Sequence, residues 1–242
     1  MAFIHGKDTK VIIESTDLSS FLNSAEPSRT ADVGETTTFG SSNKTFIAGE
    51  KDATVSFGGF FDSTADNIIQ GLVGTNDKVA VIGYDGIDAT DDCMFGQGVT
   101  TNYGISSPVG DVVAVTFDLQ ASGFFSGSVL ENATVTASGN GTARDNGSST
   151  ANGGGAFIVA TTVSGTSTPT LTAKITHSAD NVTYADLLTF TALTSAGAEV
   201  KEIKVGDEVQ YAEHAMPTPM EHEGVEHLLL QAGDVFAIIR YE

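Results

Sequence analysis

The sequence has no tryptophan, a single cysteine, and only 11 basic residues against 31 acidic ones in a chain of 242. Each shortage closes something off. With Cys93 alone, no intrachain disulfide can form and a cysteine-based zinc site is excluded. Its expected role is that of a small buried hydrophobe. The shortage of lysine and arginine leaves a formal net charge of −20, spread over both sides of Leu130 and not gathered in a tail. Affinity for nucleic acid rests on basic side chains displacing counterions from phosphates, so this chain is not expected to grip DNA. Without tryptophan, and with Tyr184 and Tyr211 isolated, it lacks the exposed aromatic platforms that bind sugars. No apolar run reaches the length of a membrane span. The N-terminal MAFIHGKDTK lacks the apolar core of a secretory signal, so the expectation is folding and assembly in a reducing cytoplasm, with no membrane partner.

What is present is glycine, 27 residues of it, with threonine and serine in nearly every segment. β-branched and small residues between frequent turn signals point to an all-β chain. The length allows one large β domain or two of ordinary size. KVIIE (Lys10–Glu14) reads as a first strand, and Asn23–Ala31 as a second whose Pro27 places it at an edge or a bulge. Ala53–Phe60 alternates, with Val55 and Phe57 on one face. One helix follows. Ser63 or Thr64 can cap it, Asp66 sits in its first turn and Gly74 is placed to end it; Ile68, Ile69, Leu72 and Val73 form its apolar stripe. Strands are then expected at Lys78–Tyr84, at Met94–Ile105 (broken by glycines) and at Val113–Leu119, with Phe124–Leu130 closing the unit.

The texture changes at Glu131. Ala133–Gly155 is rich in Gly, Asn, Ser and Thr, and its Asn-Gly pairs read as hairpin turns. Strands are expected near Ala156–Val163, Thr170–His177 and Leu187–Leu193, a spacing that implies a β-sandwich of jelly-roll or related type. The two final strands, Val225–Gln231 and Val235–Tyr241, could complete this sandwich or return to the first domain. The expected division is 1–130 and 131–242.

No catalytic constellation appears: there is no nucleophile elbow, no Cys-His pairing and no phosphate-cradling glycine motif leading into a helix. His214, His222 and His227 beside Glu213, Glu221, Glu223 and Glu226 are zinc-capable residue types, yet their spacing puts no set on one face. Asp85, Asp88, Asp91 and Asp92 lack EF-hand spacing. The expectation is a chain without enzyme activity, metal or cofactor.

The most distinctive stretch is Asp32–Lys51, a polar ribbon of threonine, serine, glycine and charge. It is broken by Phe39, Phe46 and Ile47. Connections this long without structure of their own are uncommon in compact domains. The isolated apolar residues suit a loop that orders by inserting into a neighbouring subunit. From Asp17 to Asp62 the run DLSSFLNSAEPSRTADVGETTTFGSSNKTFIAGEKDATVSFGGFFD resembles the N-terminal region of major tail tube proteins of long-tailed (siphovirus-type) bacterial viruses. The resembling order is a Leu-Ser turn, a strand, a TTTFG loop, a T-F-I-x-G-x-K-D corner and a G-F-F-D strand end; it extends more weakly to about Leu130.

The resemblance implies a tail-tube fold: two packed antiparallel sheets with a flanking helix, followed here by the appended β-sandwich module. It implies a virion protein that joins itself edge to edge into hexameric rings. These stack into a hollow tube, meet other tail proteins at its ends, and let DNA pass without specific binding. The inter-subunit loop would comprise Thr36, Thr37, Thr38, Phe39, Lys44, Phe46 and Ile47, the last two and Phe39 serving as apolar anchors. The strong acidity then has two readings, plain solubility or a surface past which DNA slides. The alternative function is a carbohydrate-binding or capsid-decorating β protein acting through Glu131–Glu242.

Overall fold

The structure is a computed structural model that describes residues 3–144, 153–165, 169–178, 181–203, 218–222 and 225–229. The chain divides into two compact units, Met1–Gly86 with Met94–Phe124, and Ile87–Cys93 with Phe125–Glu242. Among the described residues it is mainly β, with a large antiparallel sheet and one α-helix, as the composition and the resemblance lead one to expect.

Seven strands make that sheet: Lys10–Ile13 (β1), Thr16–Asp17 (β2), Leu22–Glu35 (β3), Phe46–Phe60 (β4), Lys78–Gly83 (β5), Asp92–Ser106 (β6) and Ala114–Ser128 (β7). Their order is β2-β1-β5-β6-β7-β4-β3, so hydrogen bonding joins all seven into one continuous sheet. The alternation read in the sequence sets the core. Val55 and Phe57 of β4 stand opposite Leu119 and Phe117 of β7, and the Phe57 and Phe117 rings stack at 4.6 Å. Val11 and Ile13 of β1 stand opposite Ile82 and Ala80 of β5. These eight residues belong to one buried cluster with Leu18, Ala65, Ile69 and Leu72. β1 and β5 are buried on both faces, since Ile12, Val79 and Val81 are buried as well.

The helix α1 spans Ser63–Leu72. Its N-cap is Asp62, not Ser63 or Thr64: the Asp62 carboxylate accepts from the backbone N–H groups of Thr64 (2.8 Å) and Ala65 (3.3 Å). Aspartate and serine are comparable cap types, and the carboxylate in addition meets the positive end of the helix dipole. Gly74, at φ +74°, stands just past the helix end as expected. The buried stripe is Ala65, Ile69 and Leu72; Ile68 is half-buried and Val73 is exposed.

β6 is unbroken. Its glycines serve close approach: a Cβ on Gly98 would lie 2.1 Å from the Gln120 carbonyl oxygen, and one on Gly96 2.1 Å from that of Gly123. β7 likewise runs on through the segment expected to close the unit. Pro27 lies in β3, which is an edge strand of the sheet, where a missing N–H costs no ladder bond.

In the second unit the described strands are Gly154–Ala160 (β8), Lys174–His177 (β9), Ala185–Thr189 (β10), Gly197–Ile203 (β11), Thr218–His222 (β12) and Val225–Leu229 (β13). Among the described residues they are joined only in antiparallel pairs, β8 with β11, β9 with β10 and β12 with β13. The expected strand Thr170–His177 shortens to β9, and Leu171 makes only an isolated bridge to Leu193. β11 gives no alternating signal in its sequence, GAEVKEI, and was not expected. Residues 131–144 form no strand. Residues 145–152 of the expected hairpin region and the strand Val235–Tyr241 lie outside the described residues, while Gly154 and Gly155, at the end of that region, begin β8.

Candidate functional site: a hairpin arm and a polar sheet face

The Asp32–Lys51 ribbon is not a free loop. β3 continues to Glu35 and β4 begins at Phe46, with Val33 opposite Ala48, Gly34 opposite Ile47 and Glu35 opposite Phe46. The reason is pairing that one sequence segment cannot announce by itself. Two short runs, DVGE and FIAGEK, have weak strand signals separately but satisfy each other's backbone groups when antiparallel. Ladder pairing of β4 with β7 starts only at Ala53, opposite Ala121. Residues 46–52 of β4 therefore pair with β3 alone, as a two-stranded arm. Every residue from Ser28 to Asp52 is exposed. Near its base the arm carries a bulge, where Asp32 faces both Gly49 and Glu50. Gly49 fits there because a Cβ would come within 3.2 Å of the Asp32 carbonyl oxygen. Such bulges bend and twist a ribbon.

Four of the seven site residues expected from sequence shape the tip. The Thr36 N–H donates to the Thr45 carbonyl (2.8 Å) and the Thr45 N–H to Thr37 Oγ1 (3.1 Å). The Thr36 hydroxyl donates to that of Thr45 (3.1 Å), and the Thr38 carbonyl accepts from the Ser41 N–H (3.2 Å). Lys44 Nζ donates to Glu35 Oε2 at 2.9 Å across the hairpin. This bond, aided by the Thr37 hydroxyl, holds the Glu35 carboxyl below its ordinary range. Gly40, at φ +90°, supplies the left-handed turn that a residue with Cβ would adopt only under strain.

The other three, Phe39, Phe46 and Ile47, are presented to solvent. Phe39 is fully exposed, Phe46 57 % and Ile47 61 %. Val33, at 65 % exposure, joins them. Sequence reading overlooked it; its place opposite Ala48, on the face shared with Glu35 and Phe46, follows only from the register. Ile47 lies on the other face, over Gly34. The arm tip is therefore apolar on both sides. The arm as a whole is nearly balanced in charge, with Arg29, Lys44 and Lys51 against Asp32, Glu35, Glu50 and Asp52.

A second surface comes from the same register. On the side of the sheet away from Val55 and Phe57, β3, β4 and β7 align Ser24–Gly58–Thr116, Glu26–Ser56–Asp118 and Ser28–Thr54–Gln120. Asn102 of β6 donates to Asp118 (3.2 Å), and Gln120 donates to Asp52 (2.5 Å). This face carries carboxylates, hydroxyls and amides, and none of these residues is basic. The alternation in each strand marks these positions as solvent-facing, but their coming together depends on strand order.

The zinc-capable histidines do not assemble into a site that can be described: among the described residues no group of three or more metal-ligating side chains comes together. His214, Glu213 and Glu223 lie outside the described residues. The aspartate turn is an ordinary one, with the Asp88 N–H donating to Asp91 (2.8 Å). Cys93 is buried, and burial, with Asp92 and Asp91 nearby, pushes its thiol up to about 12.

Among the described residues the chain is thus a mainly β protein that exposes apolar side chains at the tip of a two-stranded arm. No family model and no curated protein matches the sequence. It is similar to solved structures of tail particles. One is the virion of a native gene transfer agent particle (16 % identity, 49 % of this chain and 94 % of that one, TM-score 0.39). Another is the tail of an empty gene transfer agent particle, computed with C6 symmetry (17 %, 49 % and 94 %, TM-score 0.38). A third is the SPP1 tail tube (13 %, 53 % and 81 %, TM-score 0.44).

Proposed function

We propose that this protein is the self-assembling subunit of a phage-type tail tube, stacking as hexameric rings around a channel through which DNA is delivered. The observation that carries the reading is the arm. A ribbon of 14- and 15-residue strands is fixed at one end in a packed sheet and ends in four apolar side chains that nothing among the described residues covers. Burying such residues against another copy releases about 25 cal/mol for each Å² of apolar surface removed from water, which gives the arm a reason to be ordered in an assembly. The landmarks of the tail-tube resemblance, TTTFG and T-F-I-x-G-x-K-D, fall on this arm. The free edge β3 offers backbone N–H and C=O groups to a neighbour in the ring, which turns an edge that invites association into the interface. The second unit, of β-sandwich type, decorates the tube and leaves its assembly to the first unit.

The polar face of β3, β4 and β7 lines the channel in this reading. Glu26 and Asp118 repel phosphate there, and no basic side chain competes to hold it. Two measurements test the proposal. Electron microscopy of the purified protein should show rings or tubes. Gel-shift titration with duplex DNA should show no binding even at low salt, where any attraction is strongest. Persistent monomers at high concentration, or tight and salt-sensitive DNA binding, overturn it.

A further inference from the structure

Apart from Phe3 and Ile4, the exposed large apolar side chains of the first unit fall into two groups at opposite ends of one strand. The first is the arm tip, Val33, Phe39, Phe46 and Ile47, where β4 begins. The second lies where β4 ends and comprises Phe60, Phe61, Val73, Ile105, Val109 and Val112. Backbone pairing gathers it: Phe60 stands opposite Ala114, the Phe61 N–H donates to the Val113 carbonyl (2.9 Å), and Val73 bridges to Thr100 of β6. Val73 and Ile105 line one open groove with Gln70 and Tyr103. Tyr103 is held by its hydroxyl to Asp66, which also accepts from Gln70 (2.9 Å). Val109 and Val112 stand at the turn between β6 and β7, next to Asp111.

A strand of 15 residues is about 50 Å long at the usual rise of about 3.4 Å per residue. One molecule cannot bring these groups together; two copies displaced along the strand direction can. We propose that the apolar end formed by Phe60, Phe61, Val73, Ile105, Val109 and Val112 is the socket for the arm tip of a second copy of this chain. This rests on the reading of the arm as the ring-to-ring clamp and names what it clamps. The two surfaces match in character. Both are apolar, and the socket is edged by Asp62, Asp66 and Asp111 while the arm carries Arg29, Lys44 and Lys51 interleaved with Asp32, Glu35, Glu50 and Asp52. A contact between two different surfaces does not close on itself as a twofold pair does, so a joined pair still has one free arm and one free socket. Such a contact propagates along one axis, as a tube requires.

The test mixes two full-length variants, F39C and V109C, each altered at a fully exposed position, and treats the assembly with a short bis-maleimide linker. Cys93 stays silent because it is buried and its thiol is pushed up to about 12. The expected result is a covalent heterodimer on a denaturing gel from assembled material, and none from unassembled protein. In parallel, V109D with V112D should abolish sedimentable tubes while far-ultraviolet circular dichroism and thermal melting stay those of the parent. Tubes of normal length from V109D/V112D, with no heterodimer from the mixture, overturn the socket. If removal of the arm tip still abolishes tubes in that case, the clamp reading stands and only its receptor is wrong. If removal of the arm tip leaves tubes intact, both fall.

Discussion

β4 is one strand in two environments. Its C-terminal half, Ala53–Phe60, has β3 on one side and β7 on the other, and alternates between buried and exposed positions. Its N-terminal half, Phe46–Asp52, has β3 alone and is exposed throughout. Both halves carry phenylalanine and aliphatic residues, yet Val55 and Phe57 are buried while Phe46 and Ile47 are open to solvent. Residue type therefore does not distinguish a buried position from an exposed one. The number of neighbouring strands does. The inner half should govern whether the first unit folds, and the outer half whether folded copies join.

The sharpest way to break that contrast is to substitute the same residue type in each half. Phe57→Ala removes a ring stacked on Phe117 in a close-packed core and should cost about 3–5 kcal/mol, read from denaturant unfolding. Phe46→Ala should change stability by less than about 0.5 kcal/mol, the usual range for an exposed site, while abolishing sedimentable tubes. Equal stability losses at the two positions would end the distinction. Gly98→Ala tests the sheet from the backbone side. The added Cβ meets the Gln120 carbonyl at 2.1 Å and the Ala121 Cα at 2.7 Å, neither of which can rotate away, so the loss should be comparable to that of Phe57→Ala.

A smaller effect is expected at the helix. Asp62→Ala leaves the N–H groups of Thr64 and Ala65 without their acceptor and should cost about 1 kcal/mol. Asp62→Ser should recover most of it.

The smallest effect belongs to Glu35. Lys44 and Thr37 lower its carboxyl below the usual glutamate range. A group whose folded pKa is depressed contributes stability above its unfolded value and loses it as pH falls through the folded one. The Lys44–Glu35 pair is exposed, and such pairs are worth little. Comparing the parent with Glu35→Gln should therefore show a slight melting difference at neutral pH that vanishes in acid. A difference that grows toward acid pH would contradict the sign.

The inner half of β4, the helix and β5 were legible in the sequence because each carries a pattern that burial imposes: alternation in TVSF, a continuous apolar run in VAVI, and a helical stripe at Ile69 and Leu72. The arm was legible as an unusual stretch with three exposed apolar residues, but not as a hairpin. Its strands have no buried face, so no alternation records their pairing, and Val33 went unnoticed for the same reason. The polar face was visible strand by strand, as Glu26, Ser56 and Asp118. That these three form one row is a matter of strand order, which local pattern does not encode. Asp62 was passed over as the cap because Ser63 and Thr64, both good cap types, follow it directly. In β6, glycines read as breaks are the residues that let β7 lie close. β11 stayed hidden because GAEVKEI has neither a clean alternation nor a run of strand formers.

The central claim is that the arm tip joins folded copies into tubes, and electron microscopy of two proteins tests it most directly. One is the parent; in the other, Val33–Ala48 is replaced by a two-residue Asn-Gly turn of the kind that closes hairpins, which leaves the paired residues from Ser24 to Ala31 of β3 in place. The parent should form tubes, and the shortened protein should remain soluble, keep the parent's circular dichroism and form none. Tubes of normal length from the shortened protein would contradict the account.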